Sequence, residues 1–133
     1  MGQWHTFPLR ILKGSWGISI DLRARAVLSE NPDPGLLDAG HHLLLDLRSL
    51  RLPPADIEQL LSGAKLMAAE IEAKAPAPYV IIEVDQVVYT PTDYQPEGMG
   101  AVIVGWLCEE FGLESPIKDV HFDRTANRYV FAT

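Results

Sequence analysis

Residues 18–28 constrain the fold more than any other stretch of this chain. Ile18, Ile20, Leu22, Ala24, Ala26 and Leu28 fall on one parity, and Ser19, Asp21, Arg23 and Arg25 on the other. Successive side chains of a β-strand point to opposite faces, so the run predicts a strand dry on one side and wet on the other. The dry side must be covered. A second strand is predicted over 41–51, with Leu43, Leu45 and Leu47 facing in and Asp46 and Arg48 facing out. The third, over 80–89, is β-branched and nearly continuous, as an interior strand with large neighbours is.

Two helices supply the cover. Leu52-Pro53-Pro54 stops the second strand, and proline suits the first turn of a helix. Asp56 and Glu58 then lie where the helix dipole favours negative charge. Ile57, Leu60, Leu61, Ala64, Ala68 and Ile71 recur at helical spacing, which predicts an amphipathic helix over 54–74, ended by the prolines of 75–78. The second helix has two candidate starts. Thr92 and Gln95 are spaced as a capping box; alternatively Pro96 is the first helical residue. Either way it runs to about Phe111 and stops at Gly112, a left-handed cap. Gly98, Gly100 and Gly105 each cost such a helix about 1 kcal/mol against alanine. Their cost implies close approach of another backbone, with the first helix and its Ala64 and Ala68 as the expected partner.

Residues 1–16 read as an irregular lead with Trp4, Phe7, Leu9 and Ile11 as anchors, and 29–40 as a proline- and glycine-broken loop. Short strands at 117–122 and 128–131 are expected to close the edge of the sheet, with 123–127 either turning a hairpin or bulging a single strand. The prediction is one α+β domain over 1–133. It is a two-layer sandwich with a four- to five-stranded sheet and both helices on one face, in the order β-β-α-β-α-β.

Eighteen acidic against eleven basic side chains leave a formal charge of −7, which repels phosphate backbones. Arg10, Lys13, Arg23, Arg25, Arg48 and Arg51 gather early in the chain, so an anionic partner on one face is permitted but not required. The lone Cys108 among Trp106, Leu107 and Phe111 reads as a small buried hydrophobe in a reduced, cytoplasmic compartment. No 18-residue apolar run exists, so no membrane span is expected, and the N-terminus lacks the marks of a signal peptide.

Phosphate loops of the usual kinds are missing. Gly98-Met99-Gly100 has Glu97 beside it, which repels phosphate and favours a packing role. His41 and His42, adjacent on the predicted strand, point to opposite faces and cannot chelate one metal together. His121 with Asp123 offers too few ligands for zinc, and a Cys108–His121 nucleophilic pair is blunted by burial of the thiol. No cofactor or metal is expected. Glu83 and Asp85 share a strand face, with Asp46 opposite if the strands neighbour. They suit acid–base work, or a solvated outer face balanced by Arg23, Arg25 and Arg48, and the second reading is preferred. Tyr89 and Tyr94 flank Asp93 in a proline-bounded turn, a composition frequent at protein contacts that serves equally to cover the end of a core.

Further signals lie in residues 52–112. A proline-led helix after the second strand carries Ile57 and a mid-helix Gly63. Tyr79-Val80-Ile81-Ile82-Glu83-Val84 answers a strand of type Pro-Val-x-x-Val-x-Val. Tyr89 and Asp93 in a turn precede a helix containing Ala101. Across about half the chain this resembles domain IV of elongation factor G, the ribosomal translocase. The resemblance implies the fold shared with a ribosomal small-subunit protein domain, including a left-handed crossover. It also implies a tip built from the loops 29–40 and 90–97 that reaches toward the decoding site. The histidine of the family's second loop has no counterpart between Tyr89 and Pro96, and the first loop carries Glu30, Asp33 and Asp38 with no cation.

The expectation is a non-catalytic module that binds a protein partner through its open sheet face or the loop 90–97. Arg23, Arg25, Asp46, Arg48, Glu83, Asp85, Tyr89, Asp93 and Tyr94 are its candidate contacts. The alternatives are a ribosome-associated factor, the one route to nucleic acid, and an immunity protein that blocks a basic toxin. The chain is expected to be a monomer, or a homodimer through an exposed last strand.

Overall fold

The computed structural model describes residues 2–13, 16–75 and 78–133, with Asp93 in its backbone only. The turn expected at 75–78 thus falls partly, at Pro76 and Ala77, outside the described residues. Five strands form a mixed sheet: β1 (His5–Leu12), β2 (Gly17–Ser29), β3 (Leu37–Asp38), β4 (Leu43–Asp46) and β5 (Tyr79–Tyr89), in the order β1-β2-β5-β4-β3. All neighbours are antiparallel except β4 and β5, which α1 (Pro54–Lys74) joins as a parallel crossover. α2 (Glu97–Phe111) follows a single 3-10 turn at Pro91–Asp93. The α+β sandwich is therefore found, with both helices on one sheet face.

The alternation in β2 survives from Ile18 to Ala26 and breaks at the end of the strand, where Leu28, expected to face in, is 55% exposed. Ile20, Leu22, Ala24 and Ala26 are fully buried against the helices, and Ala26, Ile82 and Leu45 form one inward row across three strands. Arg25, Glu83 and Asp46 form the adjacent outward row. A register shift at Arg23/Ala24 makes Asp85 the extra residue of a bulge. Beyond it the phase of β5 changes, so Val87 and Tyr89 turn toward the core and Gln86 and Val88 away, while Asp85 still reaches Arg23 on the outer face.

Several expectations need correction. The lead is not irregular, because β1 is a full edge strand with Phe7, Leu9 and Ile11 turned inward. Pro8 masked it, yet proline is tolerated on an edge strand. The second strand is only four residues long, since His41 and His42 both have positive φ (51° and 61°) and form the turn between β3 and β4. They are not on opposite faces of a strand. The loop 29–40 itself contributes β3.

The last two strands, β6 (Asp119–Asp123) and β7 (Arg128–Ala132), do not close the main sheet but pair as a separate hairpin. Asp123 Oδ1 accepts from the N–H groups of Thr125 (2.9 Å) and Ala126 (3.1 Å) to shape its turn. This hairpin packs on α2, where Glu97 Oε1 accepts from Tyr129 N–H at 2.7 Å. The sheet, α1 and the hairpin therefore surround α2, which explains its nearly all-round apolar sequence. Met99, Val102, Ile103, Trp106 and Leu107 are all fully buried.

Pro96 has helical dihedrals (−53°, −37°) and no side chain among the described residues caps α2, so the start at Pro96 is the one formed. Gly112, at φ 63°, stops the helix as expected. The close helix approach is real but is made by Gly63 and Gly100. A Cβ on Gly63 would lie 2.5 Å from the Gly100 carbonyl oxygen. Gly105 serves the sheet instead, because a Cβ there would lie 2.3 Å from the Phe7 ring.

Ser29 pairs with Tyr79, at the start of β5, whereas Tyr89 ends β5 opposite Ile20. The loops 29–40 and 90–97 consequently leave opposite ends of the sheet and do not build a common tip.

Candidate functional site

The face of the sheet away from the helices carries an ordered set of charges. β2 and β5 present Arg23 and Arg25 to Asp85 and Glu83. Arg23 Nη1 donates to Asp85 Oδ2 at 2.5 Å, and Arg25 Nε donates to Glu83 Oε1 at 2.6 Å. Trp4 folds over both cations, its ring centre 5.0 Å from the Arg23 guanidinium carbon and 4.7 Å from that of Arg25. Such contacts contribute about 0.5–1 kcal/mol each at exposed sites. On one flank Arg10 pairs with Asp21 at 2.7 Å. On the other, Arg48 reaches both oxygens of Asp46 (3.0 and 2.9 Å) and Asp33 (3.2 Å). The hydrogen bond from Arg48 holds the Asp46 carboxyl below the usual carboxylate range, and its carboxylate partners hold the Arg48 guanidinium charged beyond its ordinary range.

Leu44 and Ile81 share an outward row with Val27, yet each is only 8% exposed. The face is thus a paired charge lattice set beside an apolar row, capped at one point by an indole. Trp4 was read from sequence as a core anchor. Its parity, opposite to that of Phe7, Leu9 and Ile11, assigns it to the outer face only once β1 is known to be a strand.

Tyr89 and Tyr94 lie elsewhere. Their rings stack at 4.3 Å, and the Tyr94 hydroxyl donates to Asp56 Oδ1 at the start of α1. Asp56 is 4% exposed. Burial, and then the accepting Asp56, raise the Tyr94 hydroxyl pKa well above its ordinary value. The two tyrosines therefore close the end of the core and tie the loop 90–97 to α1. Asp56 was legible in the sequence only as a first-turn acid. The Asp93 side chain lies outside the described residues.

The carboxylates and histidines meet in separate pairs at different places on the chain. Glu83 and Asp85 each accept from a guanidinium. His5 stacks on Trp106 at 4.5 Å between Glu109 and Glu110, each 3.4 Å away. His41 meets Glu72, His42 stacks on Tyr79, and His121 meets Asp119. Among the described residues no three metal-ligating side chains converge, and no helix is long and apolar enough to cross a membrane. Cys108 is half-buried, and burial pushes its thiol pKa up.

Two cavities flank the hairpin where it lies on α2. One, of about 360 Å³, opens toward α1 beside Gln59, Leu66 and Arg128. The other, of about 500 Å³, opens toward β1 between Phe7, Leu9, Ile11 and the hairpin residues Val120 and Phe131.

Fold and face together define an α+β sandwich with one sheet surface left open by its helices. No protein family, curated protein or solved structure matches the chain.

Proposed function

We propose that this chain is a non-catalytic binding module that docks a protein partner on the outer face of its main sheet. One observation carries the reading: Arg23 and Arg25 are held in place by Asp85, Glu83 and the Trp4 ring before any partner arrives. Side chains already ordered lose little entropy on docking. A face of fixed, alternating charge also discriminates between partners, because misplaced like charges are costly. The loop 90–97 is a weaker candidate, since the Tyr94 hydroxyl is already engaged by Asp56. The net charge of −7 favours a basic partner, the relation that an immunity protein bears to a cationic toxin. A ribosome-associated role rests on the sequence resemblance alone, and loops at opposite ends of the sheet give it no support.

The test is comparative capture of partners by the wild-type chain and by Trp4→Ala and Arg25→Glu. The expected result is a saturable partner, held by the wild type and weakened at least tenfold by Arg25→Glu, because a carboxylate opposite Glu83 breaks the fixed lattice on which docking depends. Equal capture by all three proteins, or no saturable partner, sinks the proposal.

A further inference from the structure

We infer that the free edge of β1, together with the cavity beneath it, accepts an extended segment of another protein as an added strand. This surface is distinct from the outer sheet face. The segment is apolar at alternate positions and carries a basic residue.

The edge is open. β1 pairs with β2 along its whole length, and among the described residues no strand pairs with its other side. Pro8, opposite Asp21, has no N–H to give. The ladder from β1 to β2 therefore runs through the odd residues. The next rung agrees: Lys13 would stand opposite Trp16, and there the Tyr129 hydroxyl accepts from Lys13 N–H (2.8 Å) and donates to Trp16 O (2.5 Å). An antiparallel ladder uses alternate residues, so the N–H groups of Thr6, Arg10 and Leu12 and the carbonyls of Thr6, Pro8, Arg10 and Leu12 face outward. Such a row is a template for strand addition.

The space beneath has the required shape. β6 and β7 form their own hairpin on α2 and pair with no strand of the main sheet, leaving a cavity of about 500 Å³ between β1 and that hairpin. Phe7, Leu9 and Ile11 line one wall, Val120 and Phe131 the other, and Gly105 lies in the floor. A strand added beside β1 places every second side chain alongside those of Phe7, Leu9 and Ile11, and so into this cavity. Volumes of 300–1,000 Å³ are typical of sites that enclose a ligand.

Charge and proline select the occupant. Glu109 lines the cavity and is half exposed, and the chain carries −7 overall, which favours a basic residue in the segment. A second copy of this chain is disfavoured. Symmetric pairing of β1 with itself would meet the missing Pro8 donor twice, whereas a separate segment meets it once.

The test pans a phage-displayed library of random seven-residue peptides against the full chain, then measures amide exchange with the best peptide bound. Enriched peptides are expected to alternate apolar residues and to contain Lys or Arg. Exchange should slow at least tenfold at Thr6, Arg10 and Leu12 and stay unchanged at Phe7, Leu9 and Ile11. The peptide should also shield Cys108, a cavity-lining thiol and the chain's one cysteine, from a thiol reagent. Arg10→Pro removes one outward donor and should weaken the peptide about tenfold relative to Arg10→Ala, while Arg25→Glu leaves it unchanged. No enrichment, enrichment without alternation, protection at other amides or loss of binding in Arg25→Glu would each overturn the inference. So would a concentration-dependent dimer that Arg10→Pro abolishes. Because Arg25→Glu separates the two surfaces, the edge can fail while the sheet face stands, and the reverse.

Discussion

The Tyr94–Asp56 contact shows how much one hydroxyl can hold. Asp56 is the buried acid of the first turn of α1, and Tyr94 comes to it from the far side of the loop that follows β5. Tyr94→Phe keeps the ring and its stack on Tyr89 but leaves a buried carboxylate without that donor. An uncompensated group of this kind costs about 1–3 kcal/mol, and equilibrium denaturation should show a loss of that size. A pH signature should accompany it. The folded state raises the Tyr94 pKa above its ordinary value of 10.0, so the unfolded chain releases this proton first as pH rises. The stabilisation is therefore fully present below about pH 10 and declines above it. Wild-type stability should fall faster between pH 10 and 11 than that of Tyr94→Phe. Parallel profiles would mean that the hydroxyl is neither buried nor held by Asp56 in solution.

At the scale of elements, the crossing of α1 and α2 is set by two glycines. A Cβ on Gly63 meets the Gly100 carbonyl at 2.5 Å and Ile103 Cγ2 at 2.7 Å, whereas the three atoms nearest to one on Gly105 all belong to the Phe7 ring. A backbone carbonyl within a helix cannot yield without moving that helix, while a ring on an edge strand can rotate. Overpacking typically costs about 1–3 kcal/mol. Gly63→Ala should lie at or above the top of that range and Gly105→Ala below it, by thermal or chemical unfolding. Phe7→Leu should relieve Gly105→Ala and leave Gly63→Ala unrelieved. What was legible in the sequence divides along the same line. The alternation of β2, the bounds of α1 and the αL stop at Gly112 are local patterns and could be read directly. That Gly63 faces Gly100 is a contact between distant elements, and spacing within one helix does not encode it. β1 was hidden because Pro8 reads as a breaker until its neighbour is known to lie on one side only. The separate hairpin was hidden because β6 and β7 alternate like any edge strand, and their sheet is decided by what α2 leaves uncovered. The outer-face arginines and carboxylates were legible as a set, but Trp4 lying over them was not.

Taken whole, the molecule divides its labour between two sides of one sheet, and that division can be measured. The helix side holds the fold: residues such as Leu22 and Ile82 are fully buried, and truncating one to alanine costs about 2–5 kcal/mol. The outer side holds ion pairs whose partners remain roughly a third exposed, with Arg23 at 39% and Arg25 at 36%. Pairs this wet contribute about 0–1 kcal/mol. Removing the Trp4 ring adds a similar amount. Against the 5–15 kcal/mol of an ordinary domain, losses on the outer side are small. Trp4→Ala and Arg25→Glu should therefore each unfold within about 1–2 kcal/mol of the wild type, with unchanged denaturant slope, while Leu22→Ala loses more. If Arg25→Glu instead proved as damaging as Leu22→Ala, the charge lattice would be a support of the sheet. Its order would then be explained by stability, and docking would lose the observation that favours it.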